Sequence, residues 1–398
     1  MQGFPPAPET RVTGDNWTLN PWLRWSLLNR QALVSNVPVW RGDGPVWELP
    51  AAPLALDDLA VTGVDGEPTT LLELLPAMDI DGFMILHRGR AVYTRHFHGM
   101  RPQTQRNSAS VSKSILATVV AVLEDQGVLD LSRTAEYYVT EMRGTAMGDA
   151  TLQQLLDMQA GIQRPALTGR SATVGTQDGG VFEIIGLMPR RPDTAADFYD
   201  FILKKPRGGA HGSTFFYDNG QVEAVGWVLR RATGKPVAEL LSELVYAPLG
   251  PWRDGFYSVD DTGAEFTAGG LGLTLQDLAR FGEMLRCEGW ANGRQIVPAA
   301  FLADVRRGGD KALFAKSTFA ETYRTGSYRS WFWNLHDDVG AFQANGRYGQ
   351  RVYVCPKAEL VIAQFSSWGG PARPHRFDAP DVRLLNELAK HFLGTGGA

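Results

Sequence analysis

The segment QRNSASVSKSILATVVAVLEDQG, residues 105 to 127, sets Ser110 and Lys113 three positions apart at the mouth of a long apolar run. On a helix such a pair shares one face, so the amine can reach the hydroxyl. A serine in the first turn also sits among unpaired backbone N–H groups at the positive end of the helix dipole, which suits a developing oxyanion. The residues that follow, ILATVVAVL, are apolar nearly all round and predict burial on every side. Burial makes the charged form of the lysine costly and leaves some amine free to take a proton, which is how a serine nucleophile is activated. The plainer reading is a serine helix cap beside a solvated lysine, and the pair alone favours that reading.

A second pair shifts the balance. In GSTFFYDNGQVEAVG, Tyr217 and Asn219 fall between an aromatic run and a helix. A phenol near an ammonium is acidified and can relay a proton between a serine and a leaving group. An amide on the same turn can orient the lysine or a substrate carbonyl. By itself Tyr-x-Asn is an everyday aromatic turn. Farther on, SYRSWFWN carries Trp331 and Trp333 in alternation, either as an apolar wall for an acyl group or as packing between lobes.

Other chemistries find less support. His96 and His98 fall on one face of a predicted strand, yet no His or Cys cluster completes a metal site, so neither metal nor cofactor is expected. The sequence has no Gly-x-Ser-x-Gly, Walker loop, HExxH or strand-linked GxGxxG. Cys287 and Cys355 read as small core residues. Asp157, in LLDMQ, reads as a polar contact on a helix, and Asp178, in GTQDGG, as a turn residue. Whether the loop from Gln163 to Pro192 closes over a substrate is left open.

Composition narrows the class. With 44% apolar and 21% charged residues the chain is an ordinary globular one, and a net charge of −4 offers nothing to a polyanion. No nucleic-acid partner is expected, and no apolar stretch approaches the roughly 20 residues that span a bilayer. The start, MQGFPPAPETRVTGDNW, lacks a basic region followed by an apolar core. Two cysteines make no disulfide framework, so a reducing cytoplasm is the expected compartment.

These residues need elements to hold them. Residues 1 to 70, rich in Pro, Gly and Trp with one short helix at NPWLRWSLLNRQAL, predict a wrap over a core made later. From Phe83, FMILH, RGR and AVYTRHF predict a hairpin. Helices are expected from Ser110 to Gln126 before Gly127, at TLQQLLDMQ, at FYDFILKKP, from Gln221 to Thr233, along PVAELLSELVYAPLG, and over 274 to 289. RYGQRVYVCP and ELVIAQFSSW predict strands, and DVRLLNELAKHFL a closing amphipathic helix. The expected class is α+β: an antiparallel sheet from both chain ends flanked by terminal helices, plus an inserted all-α lobe. Residues 1–125 and 290–398 would form the sheet domain and 126–289 the helical one, with the site between them.

Together these motifs resemble the serine β-lactamase and penicillin-binding-protein superfamily, and more narrowly its class C-like esterases and 6-aminohexanoate-dimer hydrolase group. The similarity runs from about Trp17 to Leu393. It rests on SVSKS at 110–114, LLDMQ at 155–159, the Tyr217 segment through Gly234, GGLGLTLQDLARFG at 269–282 and VIAQFSSW at 361–368. The resemblance implies Ser110 as the acylated nucleophile, Lys113 as its base and Tyr217 as the proton relay. It also implies an oxyanion hole from the N–H groups of Ser110 and Arg347, the latter after Ala344-Asn345-Gly346, where relatives that handle penicillins have a cation.

Two departures bear on substrate. Nylon-oligomer hydrolases have an asparagine where this chain has Ala268, and a tyrosine beyond the DMQ segment where AGIQRPALTG has none. Both favour an ester over an aminohexanoate amide, because an ester leaving group needs less protonation. The expected partner is a small-molecule ester or amide substrate, with no membrane partner; a homodimer is left open. A catalytically silent ligand-binding relative is the alternative from another class.

Overall fold

Ile80–His87 and Arg90–His96 form the hairpin that the β-rich runs after Phe83 predict. The structure, a computed structural model, describes residues 1, 3–163, 180–370 and 375–394. The hairpin closes one edge of a seven-stranded antiparallel sheet. From the far edge the order is Ser327–Arg329, Phe332–Asn334, Phe342–Gly346, Gln350–Cys355, Leu360–Ser366, Ile80–His87 and Arg90–His96. The two ends of the chain meet where Leu360–Ser366 pairs with Ile80–His87.

The central strands are buried along their whole length, which explains their nearly continuous apolar sequence: both faces are covered. Alternate residues of a strand face opposite ways. Val352 and Val361 meet the helix Leu275–Arg286 at Gly282, where a Cβ would stand 2.9 and 2.5 Å from their methyl carbons. Glycine therefore lets helix and sheet touch. On the other face Arg351 and Gln364 bond to Asp381 of the closing helix Asp378–Gly394. Sequence grouped residues 274–289 with the helical lobe, whereas this helix packs on the sheet. Its period of apolar positions is the same in either place.

The expected wrap of residues 1 to 70 also needs amending. Asn36–Val39 pairs with Gly255–Ser258 in a second, four-stranded sheet completed by Leu271–Leu273 and Arg106–Asn107. The segment NVPV is short and contains proline, so little in it announces a strand. This small sheet matters because Arg106–Asn107 leads directly into the serine-rich segment.

The helical part includes Leu152–Leu156, Phe198–Leu203 and Asn219–Thr233. Thr151 caps the first through a reciprocal capping box with Gln154, and Gly234 ends the last with φ 72°. Among the described residues no helix is long and apolar enough to cross a membrane. Asp178 and most of the loop from Gln163 to Pro192 lie outside the described residues.

Candidate active site

Ser110 stands at the start of the helix Val111–Asp125 and makes no capping bond with its side chain. Every residue from Val111 to Leu123 is buried, as the apolar run predicts. The other serines of the segment have structural work. Ser108 donates through both N–H and hydroxyl to the Leu271 carbonyl, each at 2.8 Å. The Ser112 hydroxyl donates to the Ala109 carbonyl at 2.6 Å and accepts from the Leu271 N–H at 3.2 Å. Ser114 donates to the Trp331 carbonyl at 2.6 Å. All three are buried, whereas Ser110 keeps some surface. Ala109, just before it, has φ 48°, a left-handed conformation that alanine adopts only under constraint. The ties at Ser108 and Ser112 supply that constraint and present Ser110 at the sharp turn.

Lys113 is 1% exposed, and its ammonium meets three neutral oxygens. Nζ lies 2.9 Å from Ser110 Oγ, 2.7 Å from Asn219 Oδ1 and 2.6 Å from the Ala268 carbonyl. An amide oxygen and a backbone carbonyl can only accept. When the lysine is neutral its two N–H bonds go to Asn219 and Ala268, and the lone pair then points at Ser110. The geometry thus favours proton transfer from that hydroxyl. The Tyr217 ring lies 4.9 Å from Nζ, packed against Phe319, Tyr328 and Trp333.

A further residue escaped the sequence reading. Glu223 is one helical turn beyond Asn219 and fully enclosed. It accepts from the Ala268 N–H at 2.9 Å and from the Thr267 hydroxyl at 2.8 Å. It thereby fixes the peptide whose carbonyl holds Lys113. Burial pushes its carboxyl up to about 7, against the lowering effect of those hydrogen bonds. The signal available was a charged residue four positions from Asn219, and so on one helix face with it. Ala268, expected among the residues that contact substrate, enters the site through its backbone: it is buried, and its carbonyl and N–H are both engaged by protein groups.

Gly346 ends the strand Phe342–Gly346 against the segment that carries Ser108 and Ser110. A Cβ there would stand 2.5 Å from the Ser108 carbonyl, so a side chain would push the strand end away from Ser110. Arg347 follows it, at the start of the turn Arg347–Gly349. Trp333 lies in the aromatic cluster at 5.7 Å from the Tyr217 ring and 4.8 Å from Phe319.

Trp331 does not share its face. Ser330 and Trp331 form the tight hairpin turn, with φ 47° and 60°, which breaks the alternation that the sequence suggests. The Trp331 indole N–H donates to the Leu155 carbonyl at 3.2 Å and its backbone N–H to Leu156 at 3.1 Å. It is a 1% exposed seam between hairpin and helical lobe. Asp157 anchors the same turn through Ser330 N–H and Arg329.

His96 and His98 do not share a strand face either. The strand ends at His96, and His98, with φ 52°, bonds Asp81 at 3.0 Å. Among the described residues no group of His, Cys, Asp and Glu has the make-up of a metal site.

Residues 77–387 match the family model described as Beta-lactamase. The chain belongs to the beta-lactamase family. It is 31% identical over 375 residues to the 6-aminohexanoate-dimer hydrolase of Paenarthrobacter ureafaciens, covering 94% of this chain and 92% of that protein. It is 29% identical over 173 residues to the esterase EstB of Burkholderia gladioli, 40% of this chain and 41% of that one. A solved Bacillus anthracis protein, given the provisional name 6-aminohexanoate-dimer hydrolase, superposes with a TM-score of 0.89 at 32% identity, covering 97% of this chain and 98% of that chain. The family's α+β fold, antiparallel sheet with helices, is the one this sequence predicts.

Proposed function

We propose that this beta-lactamase-family serine hydrolase forms an acyl-enzyme on Ser110 and cleaves small carboxylic esters. The supporting observation is the 2.9 Å contact between Lys113 Nζ and Ser110 Oγ, with Asn219 and Ala268 directing the amine. In this reading Lys113 takes the Ser110 proton as Oγ attacks the ester carbonyl. The tetrahedral oxyanion rests on the N–H groups of Ser110 and Arg347, an interaction whose loss typically costs ~10²–10³ in rate. Tyr217 passes the proton to the departing alcohol, and water releases the acyl group by the reverse relay.

The test is Ser110→Ala with a para-nitrophenyl ester. Activity should fall by about 10⁴-fold or more, and mass spectrometry after a fluorophosphonate pulse should show one adduct, on Ser110 of the wild type only. A wild-type protein without an adduct would be the silent ligand binder. Linear amide hydrolysis is the second reading, favoured by the near full-length similarity to a dimer hydrolase. Parallel assays on a nitrophenyl ester and an aminohexanoate dimer decide between them. Proportionally greater amide turnover would make Ala268 no obstacle.

A further inference from the structure

Among the described residues, four arginines are buried: Arg30, Arg106, Arg280 and Arg351. Three of them hold carboxylates: Arg106 meets Asp81, Arg280 meets Asp277, and Arg351 meets Asp378 and Asp381. Arg30 is the exception. It is 4% exposed and faces the Trp17 ring at 5.1 Å, and no described carboxylate or carbonyl accepts from its guanidinium. A stacked aromatic face recovers only part of the cost of taking a guanidinium out of water. Burial brings Arg30 down to about 10, so it remains charged at neutral pH.

Two more donors share this place. Trp17 Nε1 and the Tyr348 hydroxyl are buried without a described partner, as is Arg30 Nε. The Trp17 and Tyr348 rings lie 6.3 Å apart edge to face, and the Arg30 charge interacts with the Tyr348 phenol. Tyr348 immediately follows Arg347, at the strand end that meets Ser108. From Trp17, a line of rings through Phe182 at 4.8 Å and Phe266 leads to Gly269 beside Ala109. Through Tyr348 the cluster adjoins the strand end that meets Ser108. Arg30 and Trp17 come from the N-terminal segment, outside the family-matched residues 77–387, whereas Tyr348 lies within them.

We propose that Arg30, Tyr348 and Trp17 form a carboxylate-binding site that selects substrates carrying a free acid group in addition to the scissile bond. This rests on the reading of Ser110 as an acyl-transfer nucleophile. Among these three groups one is cationic, all can donate, and the Tyr348 hydroxyl oxygen is the single acceptor, a balance that suits an anion. A planar guanidinium with a phenol and an indole N–H matches the lone pairs of a carboxylate.

The experiment compares the full chain with Arg30→Gln, Arg30→Lys and Tyr348→Phe. Two acid-bearing esters are used: the mono-para-nitrophenyl ester of glutaric acid and the acetyl ester of para-hydroxybenzoic acid. Each is measured against its neutral counterpart, para-nitrophenyl valerate or phenyl acetate. For at least one pair, the ratio of kcat/KM for acid over neutral ester should drop about 10- to 100-fold in Arg30→Gln, the range for losing hydrogen bonds to a charged group. Tyr348→Phe should lower it less, and Arg30→Lys should restore part of it. Glutarate should inhibit the wild type competitively and lose potency in Arg30→Gln.

Unchanged ratios for both pairs in folded variants would overturn the site, leaving the donors as structural groups that bind water. Inorganic phosphate competing as well as glutarate would also overturn it, by marking a general anion site. If Arg30→Gln fails to fold, Tyr348→Phe and glutarate inhibition of the wild type carry the decision. Failure of the acyl-transfer reading is distinct: Ser110→Ala would then retain turnover of every ester.

Discussion

Lys113 and Arg106 are both sealed from solvent, at 1% and 0% exposure, but they are held in opposite ways. Arg106 is neutralised. Its guanidinium meets the buried Asp81 carboxylate, which Arg24, His98 and Ser367 also contact, and its other nitrogen meets the Ser366 carbonyl. Burial alone would raise the Asp81 carboxyl, but Arg106, His98, Ser367 and Arg24 together hold it well below the usual carboxylate range. Lys113 is instead given neutral oxygens from Ser110, Asn219 and Ala268. A cation locked to a carboxylate is a poor base, because releasing its proton strands a buried negative charge. Hydrogen-bonding dipoles can orient an amine in either protonation state. One cluster ties the chain together, and the other, in the proposed reaction, keeps a proton movable.

The largest expected effect separates activity from stability. Lys113→Met should lower ester turnover by about 10²–10⁴-fold, the contribution of a positioned base. Its melting temperature should stay near the wild type's, since the three oxygens Lys113 meets are neutral dipoles and no carboxylate is left uncompensated there. A melting temperature that falls as steeply as activity would erase the contrast with Arg106.

Asp81→Asn should do the reverse. Breaking a buried pair and leaving Arg106 uncompensated costs about 3–5 kcal/mol, measurable by denaturant unfolding. The pH dependence has a definite sign. A depressed carboxyl stabilises the fold above its unfolded value, and that stabilisation is lost only as pH falls toward strong acid.

Glu223 sharpens the comparison with the opposite sign. Its folded value of about 7 lies above the ordinary 4.5. Stability from this group is therefore full below pH ~4.5 and falls as pH rises through ~7, by about 3 kcal/mol. In Glu223→Gln the unfolding free energy should flatten across that window, so the wild-type advantage is greatest near pH 5 and smallest near pH 8. A parallel pair of curves would remove Glu223 from the titration.

The smallest effect concerns the seam. Trp331→Phe removes the indole bond to Leu155 and should cost about 1 kcal/mol of stability. Preference among acyl chain lengths should stay the same. A shifted preference would return Trp331 to the substrate wall.

Much of this was legible in local pattern. The serine–lysine pair, the apolar helix behind it, the hairpin after Phe83 and the paired strands of the C-terminal part each carry a period or turn signal within a dozen or so residues. The strand Asn36–Val39 carried none, because four residues with a proline become a strand only when Gly255–Ser258 supplies the partner. The alternation of Trp331 and Trp333 misled for a related reason. A period of two applies inside a strand, and the turn at Ser330 and Trp331 interrupts it.

What the sequence determined by itself was the proximity of Ser110 and Lys113, because helix geometry fixes residues three apart wherever the helix sits. What only the tertiary structure decided was the lysine's setting. Asn219 lies 106 residues beyond Lys113, and Ala268 lies 155 beyond it. Ala268 contributes a backbone carbonyl, which every residue type possesses and no motif can advertise. The unmatched Arg30 likewise became visible only once packing had placed it beside Trp17 and Tyr348. Covalent geometry acts over a few residues, whereas burial and charge balance are properties of the whole folded chain.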